Sequence, residues 1–202
     1  MAKKSPNEVT LDDLLYQALE TEQGGIKVYE TAIACTVNSD LREEWLDYLK
    51  ETRRHQQILL GVLEAFGLDP DARPASRNIV RAIGEALVMS MKKARATLSP
   101  EQAEIVACEA VVLAETKDHA NWELLAHVAE KGSHIHLDVL KSAVEEVEDE
   151  EDHHLYHTKG WCRELWIRAL GFPAVLPPPE EVKHVDTAIG ASRAEQSRDS
   201  ML

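Results

Sequence analysis

Three glutamates fall where the surrounding periodicity calls for an apolar side chain, and this constrains the chain more than any bulk property. The first helical stretch repeats Leu11, Leu15, Ala18, Glu22, Gly25, Tyr29 and Ala32 at alternating steps of four and three, the spacing of one helical face. The last long stretch repeats Leu137, Leu140, Val144, Glu151, His154, Thr158, Trp161 and Leu165, and the one before it carries Glu115. A carboxylate on a buried face is very costly unless it is neutralised, paired or bound to a cation. Read singly, each such glutamate fits a polar layer or a salt bridge. Read together, they also fit a metal site.

The rest of the chain predicts an all-α fold of four long helices with an extra helix in the connection between the second and third. The first helix runs from Leu11 to Thr36 and is broken by Asn38, Ser39 and Asp40. Asp40 with Glu43 reads as a capping-box-like start for the second, whose inward stripe is Leu41, Trp45, Tyr48, Thr52, His55, Leu59 and Leu63. It stops at Gly67. Residues 67–99 hold a further pattern, Ile79, Ile83, Leu87 and Met91, suited to packing on the outside of a bundle. A helix of ~20 residues spans ~30 Å, so this connection is long enough to carry the chain from one end of a bundle to the other. Ser99 and Pro100 start the third helix, which runs to Lys131. Gly132 and Ser133 turn into the fourth, ending near Gly171. The expected organisation is an N-terminal extension over 1–8, a helical bundle over 9–171 and a Pro-rich tail over 172–202, partly disordered or docked on a neighbouring subunit.

Composition excludes several function classes. A formal charge of -14 argues against a phosphate backbone or an anionic membrane surface as partner. No stretch approaches the ~18 apolar residues of a membrane span, and the opening MAKKSPNEVT has no apolar run of the signal-peptide kind. Cys35, Cys108 and Cys162 suit free thiols in a reducing compartment, so a cytoplasmic location is expected. Nothing resembles a phosphate loop or a nucleophile elbow.

The chemistry-bearing residues form an internal repeat. Tyr29 lies seven positions past Glu22, and Trp122 lies seven past Glu115. The segment from Glu51 to His55 parallels that from Glu150 to His154, and the latter contains Glu151-x-x-His154, an i, i+3 pair that offers an oxygen and a nitrogen from one helix face. A solvated charge run is the alternative for so acidic a stretch. Two helix pairs, each supplying one lone glutamate and one acid-plus-histidine segment, are what an approximately two-fold dinuclear centre needs.

With the segments LETEQGGIKVYE, LKETRRHQQIL, LAETKDHANWELL and EDEEDHHLYHTKGW, the chain resembles the ferritin-like superfamily of di-iron and di-manganese carboxylate four-helix bundles, nearest to the YciF-like bacterial stress-protein branch. The resemblance covers residues 10–170. It implies a ferritin-like bundle with a long crossover, in which Glu22 and Glu115 are lone carboxylate ligands, Glu151 and His154 a ligand pair, and His55 the histidine of the second helix. It also implies that Tyr29 is an aromatic beside the metals. The chain departs from the family at Thr52, where Glu-x-x-His is usual; Glu51, one step earlier, either bends in as a ligand or points to solvent.

Implied with these are two Fe or Mn ions, small oxidants as substrates, no nucleic acid or membrane partner, and a homodimer. For the last, Met89 and Met91 are expected to offer an apolar patch. The implied activity is iron oxidation, peroxide removal or oxygen activation; the alternative is a non-catalytic stress or assembly scaffold with a degenerate metal site. A plain bundle with a buried polar network is a third reading. Asp118 and His119 are further candidates as ligands or as groups orienting ligands. His134, His136, His153 and His157 have metal-capable rings at helix edges, and Arg53 and Arg54 are expected to pair with acids on neighbouring helices.

Overall fold

The computed structural model describes residues 10–133 and 135–202, so the extension over 1–8 and His134 lie outside the described residues. The elements are α1 (Leu11–Cys35), α2 (Ser39–Ala65), α3 (Ala75–Thr97), α4 (Pro100–Lys131), α5 (Leu137–Ala169), α6 (Pro179–Val182), α7 (Ala188–Gln196) and a closing 3-10 turn (Arg198–Met201). No strand occurs among the described residues, and no described helix is long and apolar enough to cross a membrane.

Local chemistry sets the helix ends. Thr10 and Asp13 form a reciprocal capping box at the start of α1, and Ser99 and Gln102 form another at the start of α4, with Pro100 in its first turn. The second helix starts earlier than the Asp40–Glu43 pattern predicts. Asn38 caps it, its side-chain oxygen accepting from the Asp40 and Leu41 amides, while buried Glu104 accepts from the Val37 and Asn38 amides. A side chain 66 residues away thus fixes the turn. Gly67 and Gly171 adopt positive φ, which lets the Leu68 and Phe172 amides reach back to the Leu63 and Ile167 carbonyls and close α2 and α5.

Two apolar clusters give the topology. One joins the C-terminal half of α1 to the N-terminal ends of α2 and α4 and the C-terminal end of α5, through Tyr29, Trp45, Cys108 and Trp161 among others. The second joins the opposite ends through Leu15, Leu59, Leu63, Leu125 and Leu140. Hence α1 and α5 run one way and α2 and α4 the other. Such an order requires the chain to travel the bundle's length between α2 and α4, and α3 does so along the outside of α1 and α4.

The face that α3 turns inward differs from the expected one. Ile79 and Ile83 are 63% and 51% exposed, and the buried residues are Arg77, Val80, Met91 and Ala94, with Leu87 half-buried. The reason is ionic. Buried Glu20 of α1 holds Arg77 Nε at 2.7 Å and Arg81 Nε at 2.7 Å, and Arg77 also donates to the Pro70 and Ala72 carbonyls. Farther along, Gly24 and Gly84 let the two backbones meet: a Cβ on Gly84 would lie 3.6 Å from the Gly24 Cα. Met91 is buried and Met89 exposed, so they do not form one patch.

The segment after Gly171, for which the sequence predicts partial disorder or docking on a neighbour, folds onto its own bundle. Pro179, Glu180, Val185 and Ala194 are buried. Arg163 of α5 makes a fork to Glu180, at 2.7 and 2.9 Å, and Glu164 accepts from the Val175 amide and from Arg198. The tail sits against Gly160, where a Cβ would come within 2.5 Å of Glu180 Oε2. Anchors spread singly through an aperiodic, Pro-rich stretch leave no pattern in sequence.

Two outcomes follow. An Arg77→Ala, Arg81→Ala double variant strands Glu20 in the dry contact beneath α3 and is expected to cost about 3–5 kcal/mol in denaturant melts. Arg77→Ala alone is expected to cost less, because Arg81 still pairs with Glu20. Gly160→Leu is expected to expose residues 175–185 to proteolysis while far-ultraviolet circular dichroism of the bundle stays unchanged.

Candidate metal centre

Between the two apolar clusters lies a polar layer. Glu22 from α1, Thr52 and His55 from α2, Glu115 and Asp118 from α4, and Glu151, His154 and Thr158 from α5 are all buried there. The expected residues therefore converge. Glu22, His55 and Glu151 offer ligand atoms within 4.8 Å of one another, and so do Glu115, Glu151 and His154. Glu151 belongs to both groups.

The arrangement has an approximate two-fold relation. His55 Nδ1 faces Glu22 Oε1 at 3.7 Å and Glu151 Oε1 at 2.9 Å; His154 Nδ1 faces Glu115 Oε2 at 3.5 Å and Glu151 Oε1 at 3.8 Å. The outer nitrogens are held crosswise. Nε2 of His55 lies 2.8 Å from Glu150 on α5, and Nε2 of His154 lies 2.8 Å from Glu51 on α2. A carboxylate at the outer nitrogen holds a proton there and aims Nδ1 inward, the way metal-ligating histidines are oriented. Glu51 thus does bend in, yet it stands in neither three-residue group: with its side chain 32% exposed, it acts as the outer partner of His154. The aromatics cross too. Because α1 and α4 run antiparallel, Trp122 donates to Glu22 (2.9 Å) rather than to its own helix's Glu115, and Tyr29 lies beside His154 with ring centroids 6.0 Å apart.

The two-fold fails at two positions. Gly25 and Thr52, in contact on the α1–α2 side, stand where Asp118 and Glu151 stand on the α4–α5 side. One half of the layer therefore holds the extra acids.

Charge is the main property of this layer. Burial, then the charges of Asp118 and Glu151, push Glu22 well above the usual carboxylate range, although the Trp122 N–H opposes this. Burial and the neighbouring glutamates raise Asp118 likewise, and raise Glu151 to about 8. For His154, burial disfavours the cation, but Glu115 and Glu51 outweigh it and hold its pKa at about 10. His55 moves down, through burial and the charge of His154, despite Glu150. Burial and Glu115 keep the Tyr29 phenol protonated. Glu22 Oε2, Glu115 Oε2, Glu151 Oε2, Asp118 Oδ1, the Tyr29 hydroxyl and Nδ1 of both histidines lack a hydrogen-bond partner.

No family model, curated protein or solved structure matches this chain. The site therefore has to be judged on its own geometry.

A cavity of about 190 Å³ leads to this layer between α4 and α5, lined by His119, Trp122, Glu151, Asp152 and Tyr156 and roofed by Thr187 and Ala188. His119 pairs with Asp152 at 2.7 Å on its wall, so it is a rim residue, whereas Asp118 is inside. His136 packs on the Phe66 ring at the start of α5. Arg53 pairs with Glu30 on α1, and Arg54 with Glu150 and Glu146 on α5. His153 and His157 lie at a second cavity. The role of Glu150 was not read from sequence, although the parallel between Glu51–His55 and Glu150–His154 was its visible sign.

These groups set a pH dependence. Glu151 (ordinarily 4.5, here about 8), His154 and His157 (ordinarily 6.5, here about 10 and about 9) all bind protons more tightly folded than unfolded. Each stabilises fully below its unfolded pKa, and that contribution is lost as pH rises through the folded value. His55, shifted down, contributes the opposite slope only below about 6.5. Chelator-treated protein is therefore expected to melt at progressively lower temperature from pH 6.5 to 9. A flat or rising profile in calorimetry would contradict this charge arrangement.

Proposed function

We propose that the chain is a ferritin-like metal-binding redox protein whose central layer takes two iron or manganese ions. One observation carries the reading. Every other fully buried acid among the described residues has a cationic or backbone N–H partner: Glu20 has Arg77 and Arg81, Glu104 the Val37 and Asn38 amides, Glu164 and Glu180 have Arg163. Among the described residues, no arginine or lysine forms an ion pair with Glu22, Glu115, Asp118 or Glu151. Apart from the Trp122 N–H on Glu22, their neighbours are one another and two histidines whose inner nitrogens lack partners. Divalent cations supply what this layer lacks, and its donors suit them: carboxylates offset the charge while imidazoles add neutral nitrogens.

In this reading Glu22 and His55 serve one ion, Glu115 and His154 the other, and Glu151 both. Bound iron or manganese supplies the change of oxidation state for reaction with dioxygen or peroxide. The chain's own residues do the rest. Glu51 and Glu150 hold the protons on Nε2, and so fix the direction of each Nδ1. Trp122 holds Glu22 in place. Tyr29 keeps a protonated hydroxyl beside Glu115 at the edge of the layer, which suits it to deliver a proton to a small oxidant. The cavity beside Glu151 is of a size to admit dioxygen, peroxide or ferrous iron.

A scaffold without chemistry is the second reading, favoured by Thr52 standing where a second bridging carboxylate would complete the two-fold. Metal analysis separates the two. Protein loaded anaerobically with ferrous or manganous ions is expected to retain two ions per chain, and a Glu115→Ala, Glu151→Ala variant to retain neither. Tyr29→Phe is expected to keep the metal and lower the peroxide- or oxygen-dependent turnover by about tenfold or more. Parent protein that emerges metal-free leaves the scaffold.

A further inference from the structure

A second cavity, of about 460 Å³, opens where α2 and α5 meet the tail, and Asp40, Glu43, Asp47, His153 and His184 line it with no lysine or arginine among them. At its inner wall, three residues from three elements converge: Glu44 of α2, His157 of α5 and Glu181 of α6, with ligand atoms within 4.8 Å of one another.

The hydrogen bonds around His157 leave one nitrogen to be accounted for. Nε2 lies 2.9 Å from the Val185 carbonyl, which can only accept, so Nε2 carries a hydrogen. Nδ1 then faces Glu181 Oε2 at 2.9 Å, the Tyr48 hydroxyl at 3.2 Å and Glu44 Oε1 at 3.6 Å. Tyr48 spends its single proton on Glu44 Oε1, so toward Nδ1 it too presents a lone pair. Three acceptors therefore surround a nitrogen in a side chain that is more than nine-tenths buried. A proton on Nδ1, a proton shared between Glu44 and Glu181, or a cation among these atoms would satisfy them.

Position favours the cation. Glu181 Oε2 is buried against His157 and Glu44, and Trp161 Nε1 clamps the far oxygen of Glu44 at 2.6 Å, which aims the near oxygen inward. A backbone carbonyl on the outer nitrogen is again the device that orients a ligating histidine. The acid-lined cavity gives a route for positive ions.

We propose that Glu44, His157 and Glu181 bind one divalent cation, separate from the two assigned to the central layer, and that this ion fastens residues 179–185 to the bundle. One imidazole and two carboxylates with a side open to the cavity are a three-ligand set that leaves a place for water.

Zinc is the sharpest probe, because it binds nitrogen–oxygen sites more tightly than manganese or ferrous iron. Crystals of the full chain soaked in zinc are expected to show an anomalous peak about 2.0–2.2 Å from His157 Nδ1 and from an oxygen of each glutamate. In solution, zinc is expected to slow amide exchange over residues 179–185 in the parent and equally in the Glu115→Ala, Glu151→Ala variant, which lacks two of the central ligands, one of them common to both groups. Glu181→Gln and Glu44→Gln, both of which keep the side chain's size and its hydrogen-bonding oxygen, are expected to bind one zinc fewer per chain and to lose that slowing. No peak at this position, or a peak and exchange pattern unchanged in both Gln variants, overturns the proposal and leaves a proton on Nδ1 or between the two glutamates. Because the central ligands are removed independently, failure here is distinguishable from failure of the two-ion reading.

Discussion

Acids buried halfway along the bundle with no arginine or lysine paired to them among the described residues are the constraint on which the rest of the structure depends. Four carboxyl groups and two imidazoles share a volume from which the apolar clusters at either end exclude water. Without cations, that volume can be kept near neutrality only by protons, which is why Glu22, Asp118 and Glu151 move up together. The molecule provides its own comparison. Where it buries Glu20 or Glu164 it places guanidinium groups against the carboxylate, so burying an acid beside an arginine is well within this sequence's means. At the central layer it does not do so.

The helices' order follows from the same need. Bringing Glu22 opposite His55, and Glu115 opposite His154, with the aromatics seven residues on reaching across to the other glutamate, requires α1 and α4 to be antiparallel neighbours. That in turn requires a connection the full length of the bundle. Glu20 with Arg77 and Arg81 locks this connection on one turn of α1, and Glu22 stands two residues away, facing inward. The two sides of α1 thus carry two different answers to a buried acid.

The sequence showed the stripes clearly, because apolar spacing reports burial directly, and a glutamate or histidine inside a stripe inherits that burial. Glu22, His55, Glu115, Glu151 and His154 were legible for this reason. The inward face of α3 was not: its central residue is an arginine, and periodicity counts an arginine as outward until its partner Glu20 is known. Nor were the roles of Glu51 and Glu150, which lie one step off the stripe and matter through contacts with the opposite helix. The tail hid most completely. Glu180 and Glu181 follow three prolines in a stretch without period; His157, the partner of Glu181, reads as a helix-edge residue, and Arg163, the partner of Glu180, carries no signal of its own.

The donor set narrows what the central layer can select. Each proposed ion meets one imidazole and a majority of carboxylate oxygens, and no thiolate is among them: the three cysteines are unpaired, none is a member of either group, and burial keeps the Cys108 thiol protonated. Soft monovalent copper gains little from such a set, and imidazole nitrogen adds preference over magnesium or calcium, which leaves iron, manganese and zinc. Affinity alone would rank zinc above the other two. If the layer holds two ions as proposed, Glu151 is the residue that would serve both, and selection of iron or manganese over zinc would rest on metal supply or on the placement of Glu151. Thr52, in place of a second shared carboxylate, leaves the α1–α2 side of that pair the more open of the two.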